Sequence, residues 1–343
     1  MHIYIRRNSS YALFLFLLLL LSSCKNNNKI GLTEDNPIFN EPVLKEITTQ
    51  IHQNPEDASL YFKRGIILRS IGVDTLALKD FNNAIKLDST KANYFSTLGD
   101  LLFEHKDVSG SLPYLLKAIK LNPKDPTAHL KTAKLYIFLK DYTKAFAEIN
   151  IVLRQNTMMP EGYFLKGMIY KDLSDTTKAM SSFLTAVQVD PTYKDAIFQL
   201  GLMMSQKKDS TALKYFDNAF KADSTDVYPL YAKGMFYQNI ERFEQAKSVY
   251  TNCILHEPNF SDAYFNIGWI LMQQDSFEKA ARHFDIVAKL EPTDASAYYN
   301  KGLCYELMNQ KSKALEEYKQ AIVFDKNYKE AKEGIQRLSK TNK

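Results

Sequence analysis

The sequence predicts an all-α chain in which one helix–turn–helix unit recurs eight times, and three observations carry that prediction. Glycines stand at Gly65, Gly99, Gly167, Gly201, Gly234, Gly268 and Gly302, with Ala133 in the one vacancy, so the steps are 34, 34, 34, 34, 33, 34 and 34 residues. Large apolar residues recur three and four positions from that ruler, which places them on one face of a helix. Glycine and proline number only 12 and 11 in 343 residues. That is about 3% each, against typical usage of about 7% and 5%, and it suits long helices joined by short loops.

Each unit is read in the same order. Four residues before the small residue comes a ring or bulky group: Tyr61, Phe95, His129, Tyr163, Ile197, Leu230, Tyr264 and Tyr298. A second comb of small residues follows the ruler (Ala77, Ser111, Ala145, Ala179, Ala212, Ala246, Ala280, Ala314). Four residues further on stand Phe81, Leu115, Ile149, Phe183, Phe216, Tyr250, Phe284 and Tyr318. The small residue lets two antiparallel helices approach, and the large ones fill the space beside the contact. Pro123, Pro191, Pro258 and Pro292 close units, because proline cannot continue the helical hydrogen-bond ladder. The 33-residue step places a deletion in the turn 207–211. The units run 58–91, 92–125, 126–159, 160–193, 194–226, 227–260, 261–294 and 295–328. A capping helix is expected in 42–57, and a polar capping helix with a tail in 329–343, as the ends of a stack require.

This pattern resembles the tetratricopeptide repeat (TPR) family over residues 58–328. Ala263-Tyr264-Phe265-Asn266-Ile267-Gly268 and Ala297-Tyr298-Tyr299-Asn300-Lys301-Gly302 lie close to its consensus. His129 in the ring slot and Thr157 in place of a closing proline depart from it. The resemblance implies a right-handed α-solenoid of stacked TPR units whose first helices line a concave groove. From the fourth unit onward the groove slots hold Phe164, Phe198, Tyr231, Phe265 and Tyr299, and then Met168, Leu202, Met235, Trp269 and Leu303. These ten residues are the candidate peptide groove, expected to hold an amphipathic helix or an apolar-anchored peptide of a protein partner. The competing reading is that neighbouring helices cover them as core. Lys134 stands largely alone, so a clamp for a terminal carboxylate is not expected.

The N-terminus reads as an address. Arg6 and Arg7 precede the apolar run Ala12–Leu21 and then Ser22-Ser23-Cys24, the order of a secretory signal. Ten apolar residues are too few to span a bilayer, which needs about 20 in a helix. Leu21-Ser22-Ser23-Cys24 resembles the lipobox of bacterial lipoproteins. The resemblance implies a signal peptide over 1–23 and acyl chains on Cys24, hence membrane attachment through the N-terminal lipid. Lys25 follows where an aspartate marks inner-membrane retention, so the expected location is the bacterial cell envelope, at the outer membrane facing the periplasm. Residues 24–41 read as the lipid anchor and a flexible tether, spanning roughly 20–25 Å. Without residues 1–23 the net charge falls from +5 to +3, which gives no electrostatic footprint for nucleic acid.

Motifs for chemistry are absent from the sequence: no glycine-rich phosphate loop, no His-Glu-x-x-His, no nucleophile elbow. Cys253 and His256 are two ligand types where a zinc site needs at least three. Cys253 and Cys304 occupy packing slots. No catalytic residue, metal or cofactor is expected, and the chain is not read as an enzyme. The leading expectation is a membrane-anchored TPR lipoprotein acting as an interaction scaffold or assembly adaptor for an envelope complex, in secretion, pilus or cell-wall machinery. The alternative is a glycan- or nutrient-binding lipoprotein of an uptake system. Such proteins carry long insertions, and this chain has almost no residues outside the repeats.

Overall fold

The computed structural model of the chain describes residues 36–340. The signal peptide over 1–23, Cys24 and the tether up to residue 35 lie outside the described residues. Those that are described are all helical, and none of their helices is long and apolar enough to cross a membrane. They divide into two compact units at Leu165/Lys166. The first contains a 3₁₀ turn at Pro37–Asn40, the capping helix α1 (Pro42–Gln53) and three antiparallel pairs. These pairs are α2/α3 (Ala58–Ser70, Asp74–Leu87), α4/α5 (Ala92–Glu104, Val108–Leu121) and α6/α7 (Pro126–Phe138, Tyr142–Gln155). The division falls inside α8 (Pro160–Asp172).

The second unit continues with α9 (Thr176–Val189), α10/α11 (Lys194–Gln206, Thr211–Ala222) and α12/α13 (Tyr228–Asn239, Phe243–His256). It ends with α14/α15 (Ser261–Gln273, Phe277–Leu290), α16/α17 (Ala295–Leu307, Lys311–Phe324) and α18 (Lys329–Lys340).

Local chemistry sets the boundaries. Asp57, Asp107, Asp125, Asp141, Asp175 and Asp294 cap helices by accepting from backbone N–H groups of the first turn. Pro42, Pro126 and Pro229 sit in first turns, where no N–H is needed. Inside six of the eight pairs the ruler glycine faces a ring from the second helix, and in the second pair Gly99 faces Leu115. A Cβ on Gly65 would stand 2.6 Å from Phe81 Cε1, and one on Gly234 would stand 2.5 Å from Tyr250 Cε1. Phe81, Phe183, Phe216, Tyr250, Phe284 and Tyr318 are all essentially inaccessible. Glycine is therefore needed for the ring as much as for the approach of the helices. Where the ruler has Ala133, the second helix offers the aliphatic Ile149 instead.

A second ruler lies in the turns. Gly72, Lys106, Lys140, Ser174, Lys208, Glu241, Asp275 and Asn309 all adopt positive φ, between 52° and 75°. Each ends a first helix in the same way. In the second pair, the Lys106 N–H donates to the Phe103 carbonyl and the Asp107 N–H to the Leu102 carbonyl, both at 2.9 Å. This is the six-to-one, five-to-two closure of a helix C-terminus, in which a left-handed residue satisfies the last carbonyls. Seven of the eight positions carry a side chain in a region that costs L-residues about 1 kcal/mol or more. Lys140→Gly is expected to stabilise the chain by about 0.5–1 kcal/mol, read as a higher urea midpoint at unchanged slope.

Three sequence expectations are revised. The tether over 24–41 is too long: Pro37–Asn40 is folded, and Phe39 is buried beneath the Arg64 guanidinium, 4.9 Å from the ring centroid. An aromatic ring against a buried cation holds this stretch against α2. In the fifth repeat the deletion spares the turn, since Lys208 keeps its positive φ and Asp209 its bond to Met204. The shortening falls on α11, with 12 residues where the other second helices have 14. His129, a departure by residue type, keeps the slot's bond. Its Nε2 lies 3.0 Å from the Pro123 carbonyl, as the Tyr264 and Tyr298 hydroxyls meet the Pro258 and Pro292 carbonyls at 3.2 Å.

Candidate functional site

The first helices of the second unit set one side chain per repeat directly after the ruler position: Met168, Leu202, Met235, Trp269 and Leu303. All five are partly buried. Four of them pack against buried clusters. Trp269 packs on the cluster around Tyr250 and on the one around Phe284, and Leu303 packs on the latter and on the one around Tyr318. The Trp269 indole meets the Phe243 ring edge-on at 6.2 Å. Leu202 and Met235 also pack against buried clusters, and all five side chains keep part of their surface exposed.

The aromatic slot behaves differently. Phe198 meets Phe216, Tyr231 meets Tyr250, Phe265 meets Phe284 and Tyr299 meets Tyr318, with centroids 5.3–6.0 Å apart. The same pairing joins Phe62 and Phe81 in the first unit. Each ring covers the outer side of the ring that fills the glycine crossing. Phe164, Tyr231 and Phe265 are consequently buried, at 9%, 8% and 3% exposure, and drop out of the candidate groove as contact residues. Phe198 and Tyr299 stay partly accessible.

Amides that sequence reasoning passed over flank this strip. Gln199, Asn266 and Asn300 stand two positions before the ruler glycines. The Asn266 Nδ2 donates to the Tyr231 hydroxyl at 3.0 Å, and Gln199 accepts from the Lys171 ammonium at 2.7 Å. Their regular offset from the ruler was the available signal. Tyr228, at the head of α12, is packed edge-on against Phe260. Burial pushes its hydroxyl well above the usual tyrosine range, and Asp262, Glu257, Asp226 and Glu291 add to the shift.

The corresponding face of the first unit is ionic. Arg69 reaches Asp100 at 3.0 Å and Glu104 at 2.7 Å, Lys131 reaches Asp100 at 2.9 Å, and Lys134 reaches Glu161 at 2.6 Å. Burial alone would raise the Asp100 carboxyl, but Lys131 and Arg69 outweigh it and hold it below the usual carboxylate range. Lys134, which the sequence left isolated, is thus paired. The ladder joins successive first helices and leaves no free cation row for a carboxylate.

Burial pushes the thiols of Cys253 and Cys304 up to about 12, so neither is a thiolate at neutral pH. No group of three or more His, Cys, Asp or Glu side chains among the described residues is placed to hold a metal.

Antiparallel helix pairs on a 34-residue period, each closed by the same turn and packed through a small residue against a large apolar one, define a helical repeat protein. Models described as tetratricopeptide repeat match residues 96–160, 231–285 and 265–329, and residues 160–193. The chain belongs to the tetratricopeptide repeat family. It is similar to a TPR repeat-containing protein of Methanocaldococcus jannaschii, 24% identical over 77% of this chain and 44% of that one. It is also similar to a lipoprotein NlpI homologue of Haemophilus influenzae, 27% identical over 38% of this chain and 46% of the relative. The chain thus spans less than half the length of either relative. Among solved structures, the C-terminal part of a TPR repeat-containing protein of Cytophaga hutchinsonii shares the fold. Its TM-score is 0.55 at 19% identity, over 69% of this chain and 98% of that one.

Proposed function

We propose that the chain is a lipid-anchored, periplasm-facing scaffold that holds a protein partner on the first-helix face of its second unit. The row Met168, Leu202, Met235, Trp269 and Leu303 carries the reading: five large apolar side chains, one per repeat and each partly bare. Methionine, leucine and indole surfaces adapt to an apolar helix face or to the anchors of an extended peptide. The anchor rests on the apolar run before Leu21-Ser22-Ser23-Cys24 and is supported by the likeness to a protein named as a lipoprotein. Assembly of an envelope complex is the role we assign to such a scaffold.

The test is photocrosslinking in intact membranes from a photoreactive residue replacing Met235. A specific envelope protein is expected, and its capture is expected to vanish with Leu202→Glu and Leu303→Glu together. Capture that survives both charges would remove this row as the binding face. Separately, Cys24→Ala is expected to leave an unprocessed or mislocalised precursor; correct cleavage with firm membrane retention would remove the lipid anchor.

A further inference from the structure

The second helices of the first unit present a face of one charge sign. Six cations of α3, α5 and α7 are exposed: Lys79, Lys86, Lys117, Lys120, Arg154 and Lys144, the last paired with the cap Asp141 at 2.8 Å. The same helices carry three carboxylates, and each is held by a partner. Asp74 meets His105 at 3.0 Å, Asp80 is buried on Arg64 and Glu148 meets the buried His129. In the second unit α11, α13, α15 and α17 each carry an exposed carboxylate, at Asp217, Glu244, Glu278 and Glu316.

The ruler sharpens the contrast. Lys86, Lys120 and Arg154 fall 34 residues apart, in the last turn of successive second helices. Two positions beyond, six repeats place an acid (Asp88, Asp190, Asp223, Glu257, Glu291, Asp325), whereas the second and third repeats place Asn122 and Asn156. A cation in a last turn complements the helix dipole in any repeat. That effect does not account for replacing the neighbouring acid by an amide in the repeats that continue the cation column. Leucines lie among these cations: Leu87 beside Lys86, and Leu116 beside Lys117, 38% and 43% exposed.

The geometry points to a membrane-docking surface: the outer face of α3, α5 and α7 seats on anionic lipid headgroups. Ammonium and guanidinium groups meet the phosphates while Leu87, Leu116 and the lysine stems enter the interfacial layer. Each basic residue close to an anionic leaflet contributes about 1 kcal/mol. A column of three with its neighbours thus supplies the second signal that a lipid-anchored protein needs for stable attachment. The surface is built from the first unit alone and does not depend on acylation of Cys24.

The test uses the full chain with Cys24→Ser and a polarity-sensitive fluorophore on Leu116→Cys, Cys253 and Cys304 being buried and left unlabelled. A label on Lys319→Cys serves as the reference. Vesicles of phosphatidylcholine with phosphatidylglycerol are expected to blue-shift and brighten the label at 116, but not at 319. Phosphatidylcholine alone is expected to leave both unchanged, and high salt to abolish the response. Neutralising the column (Lys86→Gln, Lys120→Gln and Arg154→Gln) is expected to weaken binding on the order of a hundredfold, with helical content retained by circular dichroism. An equal response on neutral vesicles, no response at 116, or unchanged affinity in the neutralised chain would each overturn the assignment. A matching response to soluble polyglutamate would replace the lipid by an acidic protein surface and overturn it too. Association of both labelled chains with neutral vesicles, without any change at 116, would reflect the apolar N-terminus and leave the basic face refuted.

Discussion

Asp80→Ala is expected to loosen the first unit by about 3–5 kcal/mol, because it strands a buried guanidinium. Arg64 is held from three sides. Its Nε and Nη2 donate to Asp80 at 2.7 and 2.9 Å, and its Nη1 donates to Thr48 of the capping helix at 3.2 Å. The rings of Phe39 and Tyr61 lie 4.9 and 5.8 Å from its charged carbon. Side-chain exposure is 4% for Arg64 and 2% for Asp80, so water cannot replace the lost carboxylate. The measurement is amide hydrogen exchange: protection in α1, α2 and α3 is expected to fall by two to three orders of magnitude. Amides of α14 to α17 are expected to keep theirs, since a stacked repeat contacts only its neighbours. Replacing both partners, Arg64→Met with Asp80→Leu, is expected to restore most of the loss, because the pair stabilises little beyond what an apolar pair of similar volume provides. Unchanged protection after Asp80→Ala would contradict the bridge.

Gly234→Leu is expected to cost about 3 kcal/mol, the sum of overpacking and a broken buried hydrogen bond. The new Cβ alone would stand 2.5 Å from the Tyr250 ring. That ring is fully buried, and its hydroxyl donates to Gln238 at 2.8 Å, so it has no room to retreat and a bond to lose if it does. Urea unfolding followed by circular dichroism reads the loss as a lower midpoint. The third repeat suggests the compensation. Gly234→Ala with Tyr250→Ile copies its Ala133 and Ile149, and the double variant is expected to tolerate the extra methyl better than Gly234→Ala alone. A Gly234→Leu chain as stable as the parent would show that the crossing is looser than drawn.

The helix pairs were legible because their signal is carried by residue type. Only glycine fits under Phe81 or Tyr250, so the ruler appears as a column of one letter. The turn ruler was hidden for the opposite reason. Its positions hold Gly, Lys, Lys, Ser, Lys, Glu, Asp and Asn, because the backbone imposes the left-handed geometry and the side chain points into solvent. The ionic ladder was missed because its spacing is 31 residues, one repeat less three, in Arg69, Asp100 and Lys131. Of the candidate groove residues, Met168, Leu202, Met235, Trp269 and Leu303 keep exposed surface, as do Phe198 and Tyr299, whereas Phe164, Tyr231 and Phe265 are buried. From sequence alone, a ring that covers Phe284 and a ring that greets a ligand occupy the same slot. Phe39 was lost in a polar, aperiodic stretch because one buried ring sets no period.

The tight closures of these repeats also bear on how the protein is destroyed. Proteases take their substrates as extended chain, and exposed, unstructured loops are where they cut. Here no connection between described helices exceeds five residues, the longest being Asp223–Val227, and every turn inside a pair is bonded at both of its last carbonyls. Cleavage of the folded body must therefore wait for a whole repeat to open. Its rate follows the equilibrium population of that opening when reclosure is faster than cutting, so the least stable repeat sets the lifetime of the chain.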